Sequence, residues 1–370
     1  MTRQTKRGGT VVTYSCRATR QHESVTLREL ACRLAALKGY DFAEEFDPAR
    51  GYSGALYFVP NDTLIGIAAA QKLGIRNEHD LFGGVVPFAF AATKIITHPL
   101  PEADSRSPEG WSPEFADRVR DVVLPGYSAF TTRDARIAGV RLLALGRVRI
   151  KHPAGIGGSG QSVVDDERAL DAQLHSLDDD ALSRDGLVLE QDLTKVVTHS
   201  VGQVCVADMR ASYFGVQRLT TNHRGEQVYG GSDLIIARGD FDRLTELVLA
   251  PEVKIAIAQA RAYNAAAMTS FRGMFASRCN YDIAQGVDDS GQRRSGVLEQ
   301  SWRIGGASAA EVAALEAFRA DAPLDLVRAS TTEVYSTDSV PADAVVYFRG
   351  VDEHAGAMTK YARIEPYANP

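Results

Sequence analysis

The chain has 370 residues, 45% hydrophobic and 24% charged, with a formal net charge of −6. That length suits two or three packed subdomains, and the acidic balance excludes a dedicated nucleic-acid binder, whose surface would be basic. No apolar run approaches the roughly 20 residues of a membrane span, and the basic segment 1–9 lacks an apolar stretch behind it. A cytoplasmic protein with no membrane or nucleic-acid partner is expected, and homodimerisation is the default expectation for an enzyme. Cys16, Cys32, Cys205 and Cys279 lie far apart without CxxC spacing, and read as buried small hydrophobes in a reducing compartment.

Residues 10–15 (TVVTYS) read as a first strand. Thr26 and Glu29 have capping-box spacing ahead of Leu27, Leu30, Leu34 and Leu37, which predicts a helix ended by Gly39. Residues 55–59 (ALYFV) form a second strand stopped by Pro60, and Asp62 or Thr63 caps a helix running to about Leu73. With the apolar run 85–90, this alternation predicts a small α/β domain of parallel strands over residues 1–100. Residues 99–113, rich in Pro, Ser and acids, read as a linker. Helices follow at 113–123 and 132–145, then a strand at 147–151 running into a glycine cluster, a returning strand at 162–164, a helix at 166–177 and a strand at 187–190. Strands at 201–208 and 213–219 pair antiparallel, and 244–269 is Ala-rich helix. Strands at 280–285 and 295–300 flank the turn 288–291, before a helix at 309–320 and a last strand at 344–348.

The cluster 155–160 (GIGGSG) matches GxGxxG, but a dinucleotide loop should open a helix, and here a strand follows. Strand, glycine loop and strand make a hairpin flap. The N–H groups of Gly155, Gly157, Gly158, Ser159 and Gly160 can approach phosphate oxygens, and Lys151 places an ammonium beside them. Downstream, Asp282 and Glu299 occupy interior positions of two strands expected to pair, which brings two carboxylates together. A Mg²⁺ ion resolves such repulsion, because it takes oxygen ligands and completes its shell with phosphate oxygens and water. Ser301 and Arg303 follow Glu299 at a strand's period of two, and so share its face.

Taken in order, these sites resemble the ATP-grasp superfamily, and in detail an uncharacterised bacterial family within it. The resemblance implies an ATP-grasp fold of α/β (α+β) class, with a Rossmann-like N-terminal domain and a nucleotide site between two α+β subdomains. It implies a division at 1–100 (N-terminal domain), 101–190 (lid), 191–330 (metal-bearing subdomain) and 331–370 (strand and tail). Lys94 looks like the first phosphate lysine and Lys151 like the second. Residues 188–193 (VLEQDL) are similar to the adenine hinge, so Glu190 would lie at the adenosine end, with the backbone from Gln191 to Leu193 on the base. Asp282, Glu299 and Ser301 match the metal signature, with Ser301 where Asn is usual, and Arg303 matches its catalytic arginine. ATP with Mg²⁺ (or Mn²⁺) would be bound, and a carboxylate joined to an amine or thiol through an acylphosphate. Lys151→Ala and Glu299→Ala are each expected to abolish ATP turnover with the fold intact.

Overall fold

The computed structural model describes residues 8–153, 155 and 160–367. Strand β1 (Gly9–Tyr14), helix α1 (Gln21–Lys38) and strands β2 (Asp41–Glu45) and β3 (Ala55–Pro60) open the chain. The three strands form a parallel sheet with β1 central. Helix α1 starts at Gln21, ahead of the expected Thr26–Glu29 box. Its first turn is closed by Glu23, which accepts from the Arg20 N–H at 3.1 Å, while Thr26 donates to His22 O within the helix. Gly39 ends it at φ 66°, as expected. Asp62 caps no helix: its carboxylate pairs with Arg17 at 2.9 Å. The chain instead enters a two-residue strand, β4 (Leu64–Ile65), and α2 is only Ile67–Lys72. Strand β4 pairs in parallel with β5 (Gly84–Val86).

After the loop of 99–112 come α3 (Pro113–Val119), β6 (Gly126–Ala129), α4 (Thr132–Leu143), β7 (Val148–Lys151), β8 (Gln161–Val164), α5 (Glu167–His175), α6 (Asp179–Asp185) and β9 (Leu187–Gln191). The strands form an antiparallel sheet in the order β6-β9-β7-β8. Thr131, Asp166 and Asp178 cap α4, α5 and α6 through their side-chain oxygens. A separate core, with Ala138, Leu142, Leu170 and Leu189 at its centre, holds this layer together.

The largest layer contains β10 (Thr194–Val206), β11 (Met209–Thr221), β12 (Gln227–Arg238), α7 (Phe241–Thr245), α8 (Pro251–Ser270), β13 (Phe275–Ala276), β14 (Arg278–Val287), β15 (Arg293–Ser301), α9 (Ser308–Ala320), β16 (Leu326–Val334), β17 (Val345–Asp352) and β18 (Gly356–Pro366). Eight of these strands form one sheet, in the order β15-β14-β10-β11-β12-β16-β18-β17. Successive residues of a strand face opposite sides, so Tyr213 joins the core beneath α1 and α9 while Phe214 joins the core beneath α8. The position 330/331 falls inside β16, and residues beyond it complete this sheet through β17 and β18. Of the cysteines only Cys279 is buried; Cys16 is exposed, and Cys32 and Cys205 lie between. The last two sit in a helix and a strand that each carry one wet face, which spacing alone does not reveal. Among the described residues no helix is long and apolar enough to cross a membrane.

Candidate active site

Asp282 on β14 stands directly opposite Glu299 on β15, and the register shifts immediately afterwards, with Ile283 facing Val297. Leu298 is therefore the extra residue of a bulge, a device that re-aims neighbouring side chains. Asp282 Oδ1 accepts from Ser200 Oγ at 3.2 Å and from Asn280 Nδ2 at 2.8 Å. Burial, and next the charge of Glu299, raise the Asp282 carboxyl above its ordinary value. Glu299 is neutralised by Lys94, whose Nζ lies 2.5 Å from Oε2 and also donates to Gly155 O at 2.9 Å. Lys94 opens a 3₁₀ turn, Lys94–Thr97, and is 7% exposed. An ammonium thus occupies the position against Glu299 that a divalent ion would otherwise neutralise.

Lys151, the last residue of β7, is buried and paired with Glu190 of β9. Glu190 is 1% exposed, and its other oxygen lies 3.2 Å from His98 Nε2. Burial alone would raise this carboxyl, but Lys151 and His98 outweigh it and hold it at about 2. Next along the chain, the Gln191 and Asp192 N–H groups are committed to Pro125 O and Arg147 O. Any backbone donation to a base from this segment then has to come from Leu193. Leu193 packs with Leu124, Ala284 and Leu298 in a small apolar cluster, while Gln191 Oε1 is buried without a hydrogen-bond partner among the described residues. An apolar slot beside an orphaned acceptor fits a flat heterocycle carrying an amino group.

Asp282, Glu299, Lys94, Lys151, Glu190 and Gln191 line one cavity of about 680 Å³, together with the apolar cluster around Leu193. Ser301 and Arg303 line it as well, Ser301 on β15 two residues after Glu299 and Arg303 off the strand. Strand β15 ends at Ser301, so Arg303 lies on the segment beyond and not on the strand face. Ser301 Oγ accepts from Arg278 Nη1 at 3.2 Å. Arg278 is a fully buried cation clamped by Glu311 at 2.9 Å. Arg303 Nε approaches Asp62 at 3.8 Å, and burial lowers its pKa. Asp62 thereby touches both Arg17 and Arg303, a link between distant segments that sequence spacing does not signal. Gly157, Gly158 and Ser159 of the glycine loop lie outside the described residues. Among the described residues no three His, Cys, Asp or Glu side chains form a metal cluster. Two carboxylates alone suit Mg²⁺, whose remaining ligands are phosphate oxygens and water.

The family model described as a protein of unknown function, DUF3182, matches residues 11–362. The chain belongs to this family. No curated protein matches it. Among solved structures, a biotin carboxylase–beta-gamma-ATP complex from Campylobacter jejuni matches with TM-score 0.51 at 12% identity, covering 96% of this chain and 87% of that one. A pyruvate carboxylase from Rhizobium etli, bound to its allosteric activator acetyl coenzyme-A, matches with TM-score 0.50 at 12% identity, over 96% of this chain and 36% of that one. Likeness at that identity is one of fold, and the DUF3182 chain has the ATP-grasp fold.

Proposed function

We propose that this protein binds Mg-ATP in the cavity between the β6–β9 layer and the β10–β18 sheet, and uses it to join a carboxylate to an amine or thiol. The observation that carries the reading is the pairing of Asp282 with Glu299 across β14 and β15, in one cavity with Lys94 and Lys151. Leu124, Leu193, Ala284 and Leu298 would enclose the base, with Gln191 Oε1 accepting from its amino group. Asp282 and Glu299 would hold Mg²⁺, which supplies charge neutralisation to the phosphates. Lys94 would exchange Glu299 for a phosphate oxygen, while Lys151 stays anchored on Glu190. Attack of the substrate carboxylate on the γ-phosphate gives an acylphosphate and ADP, and the nucleophile then displaces phosphate with loss of a proton. Such a transfer depends on positioning and on neutralising spread charge, which Lys94, Lys151 and Arg303 provide.

The engagement of Ser301 by Arg278 favours a second reading, an ATP-binding regulatory protein without ligase chemistry. Calorimetry with a non-hydrolysable ATP analogue, followed by ADP and phosphate release against a panel of carboxylates paired with amines, separates the two. Analogue binding with substrate-dependent ADP release supports the ligase, and binding without release across the panel supports the regulatory reading. Absence of nucleotide binding with and without Mg²⁺ would refute both.

A further inference from the structure

The cavity continues past the acidic pair. Tyr229 marks the passage: its hydroxyl hydrogen-bonds Ser232 at 2.7 Å and Thr331 at 3.2 Å, and both Asp282 and Glu333 act on it electrostatically. Beyond it lies a chamber between the first turn of α1 and strands β16–β18, lined by His22, Glu333, Tyr347, Lys360 and Tyr361.

Two features of this chamber point to a ligand. Glu333 and Lys360 face each other across β16 and β18, and Lys360 Nζ donates to Glu333 Oε1 at 3.0 Å with side chains only 20% and 15% exposed. A partly buried ion pair on a cavity wall contributes little to stability once desolvation is counted, and it presents both charges to whatever fills the cavity. His22 is 7% exposed, and its Nδ1 is buried without a hydrogen-bond partner among the described residues. The backbone N–H of His22 is fixed by Asp352 Oδ2 at 3.1 Å, and the charges of Lys360 and Glu333 both reach the ring. A wholly anionic head group would meet Glu333, and a wholly cationic one would meet Lys360. A zwitterion meets neither obstacle, because its carboxylate can take a free Lys360 N–H while its ammonium takes Glu333 Oε2, leaving the net charge unchanged.

We infer that this chamber binds the zwitterionic head of an amino acid or amino-acid-like substrate, with Lys360 on its carboxylate, Glu333 on its ammonium and His22 Nδ1 taking a further hydrogen bond. The inference rests on the ligase reading in making this molecule one of the two substrates, and the chamber residues line the same cavity as Lys94 and Glu299. Strands β16–β18 then belong to the site as substrate-selecting walls.

Calorimetric titration of the full chain, with Mg²⁺ and the non-hydrolysable ATP analogue present, tests this with the proteinogenic amino acids and with the amine and carboxylic acid that each gives on losing one head group. At least one amino acid is expected to bind, with its two truncated analogues at least about tenfold weaker. Lys360→Met and the near-isosteric Glu333→Gln are each expected to weaken that amino acid by about ten- to a hundredfold while the nucleotide analogue binds as before. Two substitutions keep the test readable if one impairs folding. Nucleotide binding without any amino-acid binding would overturn the inference, as would variants that bind the amino acid like the unmodified protein. Amino-acid binding in a protein that takes no nucleotide would support the chamber and remove the ATP reading instead.

Discussion

Lys151 and Glu190 meet where almost no water reaches them, and that changes what a substitution at either does. The sequence led to the expectation that Lys151→Ala spares the fold, yet removing the ammonium strands a fully buried carboxylate beside His98. Lys151→Met is expected to lower unfolding stability by about 3–5 kcal/mol in urea titrations, the range for breaking a buried pair from one side. A loss below about 1 kcal/mol would show that the site relaxes or admits water. Glu299 itself is about a third exposed, but Glu299→Ala leaves the buried Lys94 ammonium without its carboxylate, so its loss of turnover is to be measured together with its unfolding stability. The Glu190 carboxyl, held at about 2 against an ordinary 4.5, also sets a pH signature. A depressed carboxyl contributes stability above its unfolded value and loses it as pH falls toward the folded one. The stability advantage over Glu190→Gln should therefore be flat from about pH 5 to 7 and shrink progressively below about pH 4. An advantage still undiminished near pH 3 would contradict it.

At the scale of elements, two local devices shape the site. The bulge at Leu298 sets Asp282 against Glu299 while Leu298 joins the apolar cluster, so one extra residue shapes both the acidic pair and the apolar wall. The Arg278–Glu311 clamp ties β14 to the start of α9, and the Tyr213 hydroxyl on β11 donates to Glu311 at 2.6 Å, with Asn280 Oδ1 at 2.9 Å. Glu311→Leu leaves Arg278 buried and unpaired, with an expected cost of about 3–5 kcal/mol, whereas the double change Arg278→Met with Glu311→Leu should recover most of it. Urea unfolding of the four proteins gives the coupling directly, and additive losses would argue against the clamp. Gly306 is a packing requirement of another kind: a Cβ there would stand 2.3 Å from the Tyr229 ring. Gly306→Ala should displace that ring and destabilise by about 1–3 kcal/mol, the usual range for overpacking. A crystal structure of the variant with Tyr229 unmoved would count against this.

For the whole molecule, the cavity has walls from three parts of the fold: Arg17 and His22 from the loop after β1 and from α1, Lys151 and Glu190 from the β6–β9 sheet, Asp282 and Glu299 from the eight-stranded sheet. A ligand that touches all three should raise the unfolding temperature as one transition. Mg²⁺ with the non-hydrolysable ATP analogue at about 100 Kd should add about 2.7 kcal/mol, and chelating the metal should remove most of that shift. Differential scanning calorimetry with EDTA controls reads it, and a shift insensitive to EDTA would speak against the Asp282–Glu299 metal assignment.

Much of this was legible in the sequence because it is local. The strands around Lys151, the turn at 288–291 and the antiparallel pairing of β14 with β15 depend on residues a few positions apart, where side-chain period and turn chemistry act directly, whereas the bulge at Leu298 that sets Asp282 opposite Glu299 is not signalled by that period. Strand β2 (DFAEE) was missed because it is short and charged on its wet side, and β12 because Gly230 and Gly231 interrupt its pattern. Strand β16 is mostly polar and takes its place by pairing with β12 and β18. What the sequence determined alone was the order of the lysines, the glycine loop, residues 188–193 and the acidic pair, and the antiparallel pairing of the two strands that carry that pair. Tertiary structure decided which charges neutralise one another: Lys94 with Glu299, Lys151 with Glu190 and His98, Asp62 between Arg17 and Arg303, and Glu333 with Lys360. Most of those partners lie tens to hundreds of residues apart. Desolvation makes an unpaired buried charge so costly that pairing is enforced wherever the fold brings opposite charges together, and no local period encodes that.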